Sequence, residues 1–240
     1  MVNSDCVPEL LSFVVPAHNE EKYLGAAVDA IHGAARAVGV AYEIVVADDA
    51  STDATARIAA ERGARVLHVN LRHIAAVRNA GARAALGHRL FFVDADTQLN
   101  EAVLRGALAA LDAGAVAGGA GVRLPATSPA WARAFTAAVV RFMQLAHLAA
   151  GCFLFCTREA FGAAGGFDER YFASEEWVLS QALKRHGRFV VLREAVLTSD
   201  RKVKGRSAAE MFRITLMLAL RGPRGLRDRR HCGFWYEDRR

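Results

Sequence analysis

The sequence lacks the signatures of several large enzyme classes. No Gly-x-Gly-x-x-Gly follows the first predicted strand and no Gly-Lys-Ser/Thr occurs, which disfavours a dinucleotide-binding Rossmann enzyme and a P-loop NTPase. The four cysteines form no Cys-x-x-Cys pair and no cysteine–histidine cluster with zinc spacing. We therefore expect reduced thiols in a cytosolic protein.

Long uninterrupted apolar runs are also missing. Asp5 and Glu9 interrupt the N-terminus, so no secretory signal is expected there. The longest apolar region, residues 132–156, contains Arg133 and Arg141 and is a poor membrane span. These features predict a cytoplasmic protein, either in solution or at the inner face of the membrane.

Positive charge is concentrated at one end of the chain. The formal net charge is +6, and most dense clusters of arginine and lysine lie in residues 201–240. Such a tail can contact phosphates or acidic lipid head groups, or it can simply be a solvated surface. A peripheral membrane contact is one expectation, and nucleic acid is not an expected partner.

The hydrophobic content of the 240 residues is 53%, which suffices for a core. Strands and helices alternate in the first half of the chain. Strands are predicted at 11–15, 42–46, 65–69 and 89–93, with helices at 23–38, 54–61 and 75–86. This order predicts an α/β fold with a mostly parallel sheet and helices on both faces. Further helices are predicted at 101–113, 131–149, 158–163, 175–185 and 208–220, and strands at 115–124, 151–156, 188–192 and 195–197.

Two carboxylates follow the strand at 89–93 directly, in Asp94-Ala95-Asp96. Ligands of open α/β sheets bind beyond the carboxyl ends of the strands, and paired carboxylates suit a divalent cation with a phosphate-containing substrate. The alternative is that the aspartates only begin a loop or cap the next helix.

Four other polar motifs lie after strands or at helix starts. They are Pro16-Ala17-His18-Asn19-Glu20, Asp48-Asp49-Ala50-Ser51-Thr52-Asp53, Val77-Arg78-Asn79-Ala80-Gly81, and Gly165-Gly166-Phe167-Asp168-Glu169 with Glu175-Glu176 behind it. In this order, and together with Asp94-Ala95-Asp96, they resemble the family 2 glycosyltransferases with the GT-A fold over about residues 10 to 200.

This resemblance implies a donor substrate, a metal and a division of the chain. The donor is a nucleotide-diphosphate sugar linked to UDP, dTDP or GDP, the metal is Mn²⁺ or Mg²⁺, and the acceptor is an unidentified hydroxyl. Residues 1–114 are expected to form the donor-binding half of one GT-A domain and 115–200 its acceptor-binding half. Residues 201–240 are expected to form a basic extension.

The resemblance also implies a nucleoside pocket. Pro16, His18 and Glu20 would line it, with Glu20 accepting hydrogen bonds from the ribose, although Glu20 can alternatively cap the following helix. Asp49 matches the residue that accepts a hydrogen bond from the base, and Asp48 is expected to hold loop backbone.

Arginines and aspartates are assigned to the diphosphate and its metal. Arg78 would contact the diphosphate in a bidentate manner, and Arg201 would close over it. Asp96 would be the principal metal ligand, while Asp94 would be a second ligand or contact the donor. The intervening Ala95 would also contact the donor. By order alone, His231 is a candidate third ligand or else a surface histidine.

Glu175-Glu176 stands where the family carries its catalytic acidic pair. Glu176 matches the general base of an inverting displacement, and Glu175 is the second candidate. Both can alternatively be ordinary acidic residues in the first turn of a helix.

Three other functions remain open on the sequence. A sugar nucleotidyltransferase has a similar nucleotide-binding half, but residues 16–21 lack its Gly-rich loop. A binding protein that has lost the chemistry is disfavoured because the expected carboxylates are present. A retaining mechanism is a third variant, since the fold does not determine stereochemistry.

Overall fold

The computed structural model of the protein describes residues 9–145, 151–201, 203, 207, 208, 210, 211 and 213. A single eight-stranded sheet in the order β3-β2-β1-β4-β7-β6-β8-β5 organises this part of the chain. The strands are β1 (Leu11–Ala17), β2 (Tyr42–Asp49), β3 (Arg65–Val69), β4 (Arg89–Val93), β5 (Thr97–Gln98), β6 (Ala115–Arg123), β7 (Phe153–Thr157) and β8 (Arg188–Thr198). The helices are α1 (Leu24–Val38), α2 (Thr55–Glu61), α3 (Ile74–Ala84), α4 (Glu101–Asp112), α5 (Ala130–Leu145), α6 (Arg158–Ala163) and α7 (Glu175–Leu183).

The central strands are buried on both faces, as their continuous apolar runs predict. In β1, Phe13 and Val15 point into one hydrophobic cluster and Val14 into the other. In β4, Phe91 belongs to the first cluster and Phe92 to the second. This alternation follows from the period of two along a strand.

Helices cover both faces of the sheet, which confirms the predicted fold class. The first hydrophobic cluster contains residues of α1, α2 and α4, and the second contains residues of α3, α6 and α7. Pairing is parallel between β1 and β2, β1 and β4, β2 and β3, and β6 and β8. It is antiparallel between β7 and both its neighbours and between β5 and β8.

The glycines of β6 permit close approach of its neighbouring strands. A Cβ on Gly118 would lie 2.2 Å from the carbonyl oxygen of Val190 in β8 and 2.4 Å from the ring of Phe155 in β7. The pairing of β6 with β8 also shifts register twice, between Ala115 and Ala117 and between Gly119 and Gly121.

Several predicted boundaries were wrong. β1 continues through Pro16, which pairs with Ala47 at the end of the strand. β5 was not predicted, because two residues give no periodic signal. β8 runs unbroken from Arg188 to Thr198, although the exposed Arg193 and Glu194 suggested an interruption.

Two other predictions meet the limits of the described residues. The helix predicted at 131–149 is observed at Ala130–Leu145, and residues 146–150 lie outside the described part. Most of the helix predicted at 208–220 also lies outside it. Within the described residues, no helix has the length and apolar character that crossing a membrane requires.

Candidate active site

Strand ends converge at one edge of the sheet. β1, β2 and β4 are parallel neighbours, so the residues after Ala17, Asp49 and Val93 leave the sheet on the same side. β7 begins beside Val93 because it runs antiparallel to β4. β5 pairs Thr97 with Thr198, which brings the end of β8 to the same edge. Polar segments that are far apart in sequence therefore meet there.

Arg78 of α3 lies at the centre of a buried cluster of carboxylates. Its Nη1 donates to Glu175 Oε1 at 2.6 Å and to Glu176 Oε1 at 2.8 Å. Its Nη2 donates to Asp94 Oδ1 at 2.7 Å and to the carbonyl oxygen of Gly151 at 3.2 Å. The Arg78 side chain is only 3% exposed. We call these four ionisable residues the Arg78 cluster.

Three carboxylates against one guanidinium leave the Arg78 cluster short of positive charge. Burial opposes the charge on Arg78, but the carboxylates, Asp94 foremost, outweigh burial and raise the pKa of Arg78. Burial, and then the charge of Glu176, raise the pKa of Glu175 to about 8. This shift favours the protonated form of Glu175. The Glu176 side chain, at 16% exposure, is the more accessible of the pair.

The next residue of α3, Asn79, fixes the turn that precedes the acidic pair. Its Nδ2 donates to the carbonyl oxygen of Phe167 at 2.9 Å, and its Oδ1 accepts from the Phe167 N–H at 2.9 Å. The Phe167 ring in turn lies 5.3 Å from the guanidinium carbon of Arg78. Consecutive residues of one helix thus hold both the turn and the acidic pair.

Arg201 forms a second charged group with Asp96 and Glu20. Its Nη1 lies 2.7 Å from Glu20 Oε2 and its Nε lies 2.9 Å from Asp96 Oδ2. The ring of Tyr23 lies 5.4 Å from its guanidinium carbon. Asp96 also accepts a hydrogen bond from the hydroxyl of Ser199. We call Arg201, Glu20 and Asp96 the Arg201 group.

Glu20 belongs to this group and does not cap α1. The N-cap of α1 is Tyr23, which makes no side-chain capping hydrogen bond, and Glu20 contributes only its backbone carbonyl there. Burial raises the pKa of Glu20, against the lowering effect of Arg201. In the same way, the N-cap of α4 is Asn100, so Asp96 does not cap that helix.

A third polar group lies at the ends of β1 and β2. Asp49 Oδ1 accepts from the backbone N–H groups of Leu71 and Arg72 at 2.6 and 3.1 Å. His18 Nδ1 lies 2.7 Å from the carbonyl oxygen of Asp49, so Nδ1 carries the proton. His18 Nε2 then accepts from Arg72 Nη1 at 3.1 Å.

The structure corrects the expected role of Asp48, one of the two aspartates that end β2. Asp49, rather than Asp48, holds the backbone of the following loop, because Asp49 faces the start of α3. Asp48 instead lies 3.2 Å from the side chain of His68, its partner across β2 and β3. The expected contact of Asp49 with a nucleobase stays a prediction.

Other predicted site residues have environments that the sequence did not indicate. Pro16 and Ala95 are buried, so Ala95 offers no side chain to a ligand. Arg78 has three carboxylates as partners where the resemblance implies a diphosphate. His231 lies outside the described residues.

The two aspartates fit a divalent cation in one particular mode. Their carboxylates are hard oxygen ligands at the mouth of the site, with side-chain exposures of 24% for Asp94 and 7% for Asp96. Among the residues that the structure describes, no three histidine, cysteine or acidic side chains are arranged to hold a metal. Mg²⁺ is commonly held by one or two carboxylates together with substrate phosphates, and the pair suits that mode.

Three contacts in this site were not predicted from the sequence. They are the Tyr23 ring beside Arg201, the Asn79 side chain that hydrogen-bonds the Phe167 backbone, and the Gly151 carbonyl that accepts from Arg78. A signal for the buried cluster was present in α3. Arg78 lies on the same helix face as the buried Ala75 and Ala82, and a charged residue on a buried face requires charged or polar partners. The sequence does not show which partners these are.

The fold is that of the GT-A class. A model of the glycosyl transferase family 2 domain matches residues 12–162, which is more than half of the chain. The chain therefore belongs to glycosyltransferase family 2, and the predicted family is confirmed. A search of curated proteins finds no significant match.

Several solved structures share this fold. TarS 1-349 of S. aureus in complex with UDP-GlcNAc superimposes with a TM-score of 0.62 at 19% identity, covering 84% of this chain and 60% of TarS 1-349. The mannosyltransferase PcManGT of Pyrobaculum calidifontis, in complex with GDP-Man and Mn²⁺, gives a TM-score of 0.63 at 19% identity, covering 86% and 60%.

A third similar structure is glucosyl-3-phosphoglycerate synthase of Mycobacterium tuberculosis with Mn²⁺ and UDP. Its TM-score is 0.56 at 19% identity, covering 85% of this chain and 74% of that enzyme. The chain thus spans about three-fifths of TarS 1-349 and of PcManGT. At these identities the likeness shows the fold.

Proposed function

We propose that the protein transfers a sugar from a nucleotide-diphosphate sugar to an acceptor hydroxyl, with inversion at the transferred carbon. The observation that carries this proposal is the convergence of Glu20, Asp94, Asp96 and Glu176 at one edge of the sheet. Support comes from the family and from related structures that hold UDP, UDP-GlcNAc or GDP-Man.

The donor side of the site consists of residues after β1, β2 and β4. His18, Glu20 and Asp49 line the place proposed for the nucleoside. Asp94 and Asp96 would hold Mn²⁺ or Mg²⁺, which when bound supplies positive charge to the departing nucleotide diphosphate. Arg201 can add a second positive charge there, because its side chain is 31% exposed.

Glu176 is the proposed general base. Its carboxylate is more exposed than that of Glu175, and only an accessible carboxylate can reach an acceptor hydroxyl. Arg78 orients Glu176 through a 2.8 Å hydrogen bond. Glu175 is a positioning residue because it is buried beside the same Nη1 and its raised pKa favours the protonated form.

A donor screen tests the proposal. The purified protein is incubated with UDP-, dTDP- and GDP-linked sugars, each with and without Mn²⁺, and thermal shift and release of nucleoside diphosphate by slow hydrolysis are measured. We expect at least one donor to stabilise the protein and to be hydrolysed slowly in a metal-dependent manner. No response to any donor under either condition would overturn the proposal.

Two variants then separate donor binding from chemistry. Asp96→Ala is expected to abolish the metal-dependent part of the response, because it removes the principal proposed ligand. Glu176→Gln is expected to leave donor binding unchanged while lowering turnover by about 10²–10⁴-fold, the usual contribution of a general base. Wild-type turnover in Glu176→Gln would transfer the role to Glu175 or indicate a retaining mechanism.

A further inference from the structure

Arg201 already places a cation between two carboxylates of the proposed donor site. Its guanidinium contacts Glu20 Oε2 at 2.7 Å through Nη1 and Asp96 Oδ2 at 2.9 Å through Nε. Glu20 and Asp96 come from different strand ends, so one side chain joins the β1 side of the site to the β4 side. The side chain keeps 31% of its surface exposed.

The acidic partners of Arg201 are held from other directions. Asp96 accepts from the Ser199 hydroxyl, and its backbone carbonyl accepts from the Ser199 N–H at 3.1 Å. The Glu20 backbone N–H donates to the Thr55 hydroxyl at 2.7 Å. When Arg201 leaves, the Asp96 carboxylate therefore keeps its contact with Ser199, and the backbone of Glu20 keeps its contact with Thr55. Among the described residues, the Arg201 side chain is held in the group by these two ion pairs and the ring of Tyr23.

A divalent cation at Asp96 would meet the guanidinium at close range. Like charges that share one carboxylate repel each other, and a half-buried site screens this repulsion less than bulk water does. The charge of Arg201 and that of a metal ion at Asp96 therefore oppose each other. A diphosphate changes this balance, because it offers Arg201 strong acceptors of its own.

We propose that Arg201 is an exchangeable counter-cation of the Glu20–Asp96 pair, which hinders metal binding in the donor-free protein and moves to the diphosphate when the donor arrives. This inference rests on the proposed function, since it assumes that a diphosphate binds at the same site. Its consequence is that metal and donor bind together, and the free metal alone binds weakly.

The test is the affinity for Mn²⁺ without any nucleotide, measured by electron paramagnetic resonance of free Mn²⁺ and by calorimetry. Wild type is compared with Arg201→Ala and Arg201→Lys. Arg105→Ala is the control, because it removes an arginine paired with Glu101 on the outer surface of α4. We expect Arg201→Ala to bind Mn²⁺ about tenfold more tightly than wild type, within the usual range of site coupling.

Arg201→Lys separates charge from geometry. Lysine keeps the charge but lacks the planar fork that reaches both carboxylates, so an affinity between those of wild type and Arg201→Ala is expected. The control should match wild type. Equal, weaker or undetectable Mn²⁺ binding by Arg201→Ala relative to wild type would overturn the inference.

A second measurement keeps this result apart from the proposed function. UDP and GDP are titrated with and without Mn²⁺, and the factor by which nucleotide tightens Mn²⁺ binding is obtained for wild type and Arg201→Ala. The variant has no Arg201 for the nucleotide to draw away from Asp96. The factor by which nucleotide tightens Mn²⁺ binding should therefore be smaller in the variant than in wild type. Nucleotide binding without any difference in this factor contradicts the inference alone, while no nucleotide binding by wild type contradicts the proposed function.

Discussion

Two arginines neutralise the two aspartates of one short motif in opposite ways. Arg78 contacts Asp94 from within α3 and is 3% exposed, whereas Arg201 contacts Asp96 from beyond β8 and is 31% exposed. Arg78 has three carboxylate partners and a backbone carbonyl, and Arg201 has two carboxylate partners. A buried ion pair broken on one side leaves uncompensated charge, but a half-exposed one can exchange partners with solvent or a ligand. We infer that the Arg78 cluster is a fixed part of the structure and that the Arg201 group is the part that changes on binding.

The largest expected effect comes from Arg78→Met, which removes the charge and keeps an apolar side chain of similar reach. The acidic side chains of Asp94, Glu175 and Glu176 then share a buried space without a cation, so the free energy of unfolding should fall by about 3–5 kcal/mol. Urea denaturation at pH 7 measures this. Arg65→Met is the control, because Arg65 is 45% exposed and pairs with Glu43 outside the site. If the free energy of unfolding falls no more in Arg78→Met than in the control, the distinction between Arg78 and Arg201 does not hold.

An intermediate effect is expected from Glu175→Gln, which should change how the free energy of unfolding depends on pH. The pKa of Glu175 is raised from 4.5 to about 8, so the folded protein retains a proton that the unfolded chain loses. The stability that this provides is complete below pH 4.5 and is lost as pH rises towards 8, by at most about 1.4 kcal/mol per pH unit. Glutamine cannot titrate, and the variant should lack this decline.

Urea denaturation at pH 5.5, 6.5 and 7.5 checks the slope for wild type and Glu175→Gln. Glu101→Gln serves as the matched control, since Glu101 is half exposed and lies away from the site. Parallel pH profiles for wild type and Glu175→Gln would show that Glu175 is ionised in the folded protein, and the Arg78 cluster would then carry a different charge.

The smallest expected effect on stability comes from Arg201→Ala. Its ion pairs are partly screened by water, so the free energy of unfolding should fall by about 1 kcal/mol or less, and the difference should shrink with added salt. Urea denaturation in about 50 mM and in about 500 mM KCl measures this, because the higher salt concentration screens exposed ion pairs much more strongly. A loss as large as that of Arg78→Met would make Arg201 a structural residue and weaken its proposed exchange.

Several element boundaries follow closely from the sequence. The predicted strands at 65–69 and 89–93 and the predicted helix at 158–163 have the observed boundaries, because their apolar runs end at clear polar or glycine residues. The helix-capping alternatives for Glu20 and Asp96 were open on the sequence and are excluded by the structure. These two residues are held instead by Arg201, and nothing in the local sequence indicates that contact.

The partners of Arg78 show why the rest could not be predicted. The pairs with Glu175 and Glu176 span 97 and 98 residues, in a sheet where β7 lies between β4 and β6. Local patterns predict which residues start a helix or end a strand, but they do not predict the order of strands in a sheet. Asn79 and Phe167 are 88 residues apart and were missed for the same reason.

The position of β7 also affects how the chain can be divided. β4 pairs with β1 on one side and with β7 on the other, so both of its backbone edges are used inside the sheet. A fragment cut after Gly114 would keep β1–β4 but leave β4, with its apolar Leu90–Val93, as an open edge strand. The unpaired backbone N–H and C=O groups of such an edge strand can form hydrogen bonds with a strand of another chain. The donor-binding half is therefore expected to self-associate when it is separated from the rest of the sheet.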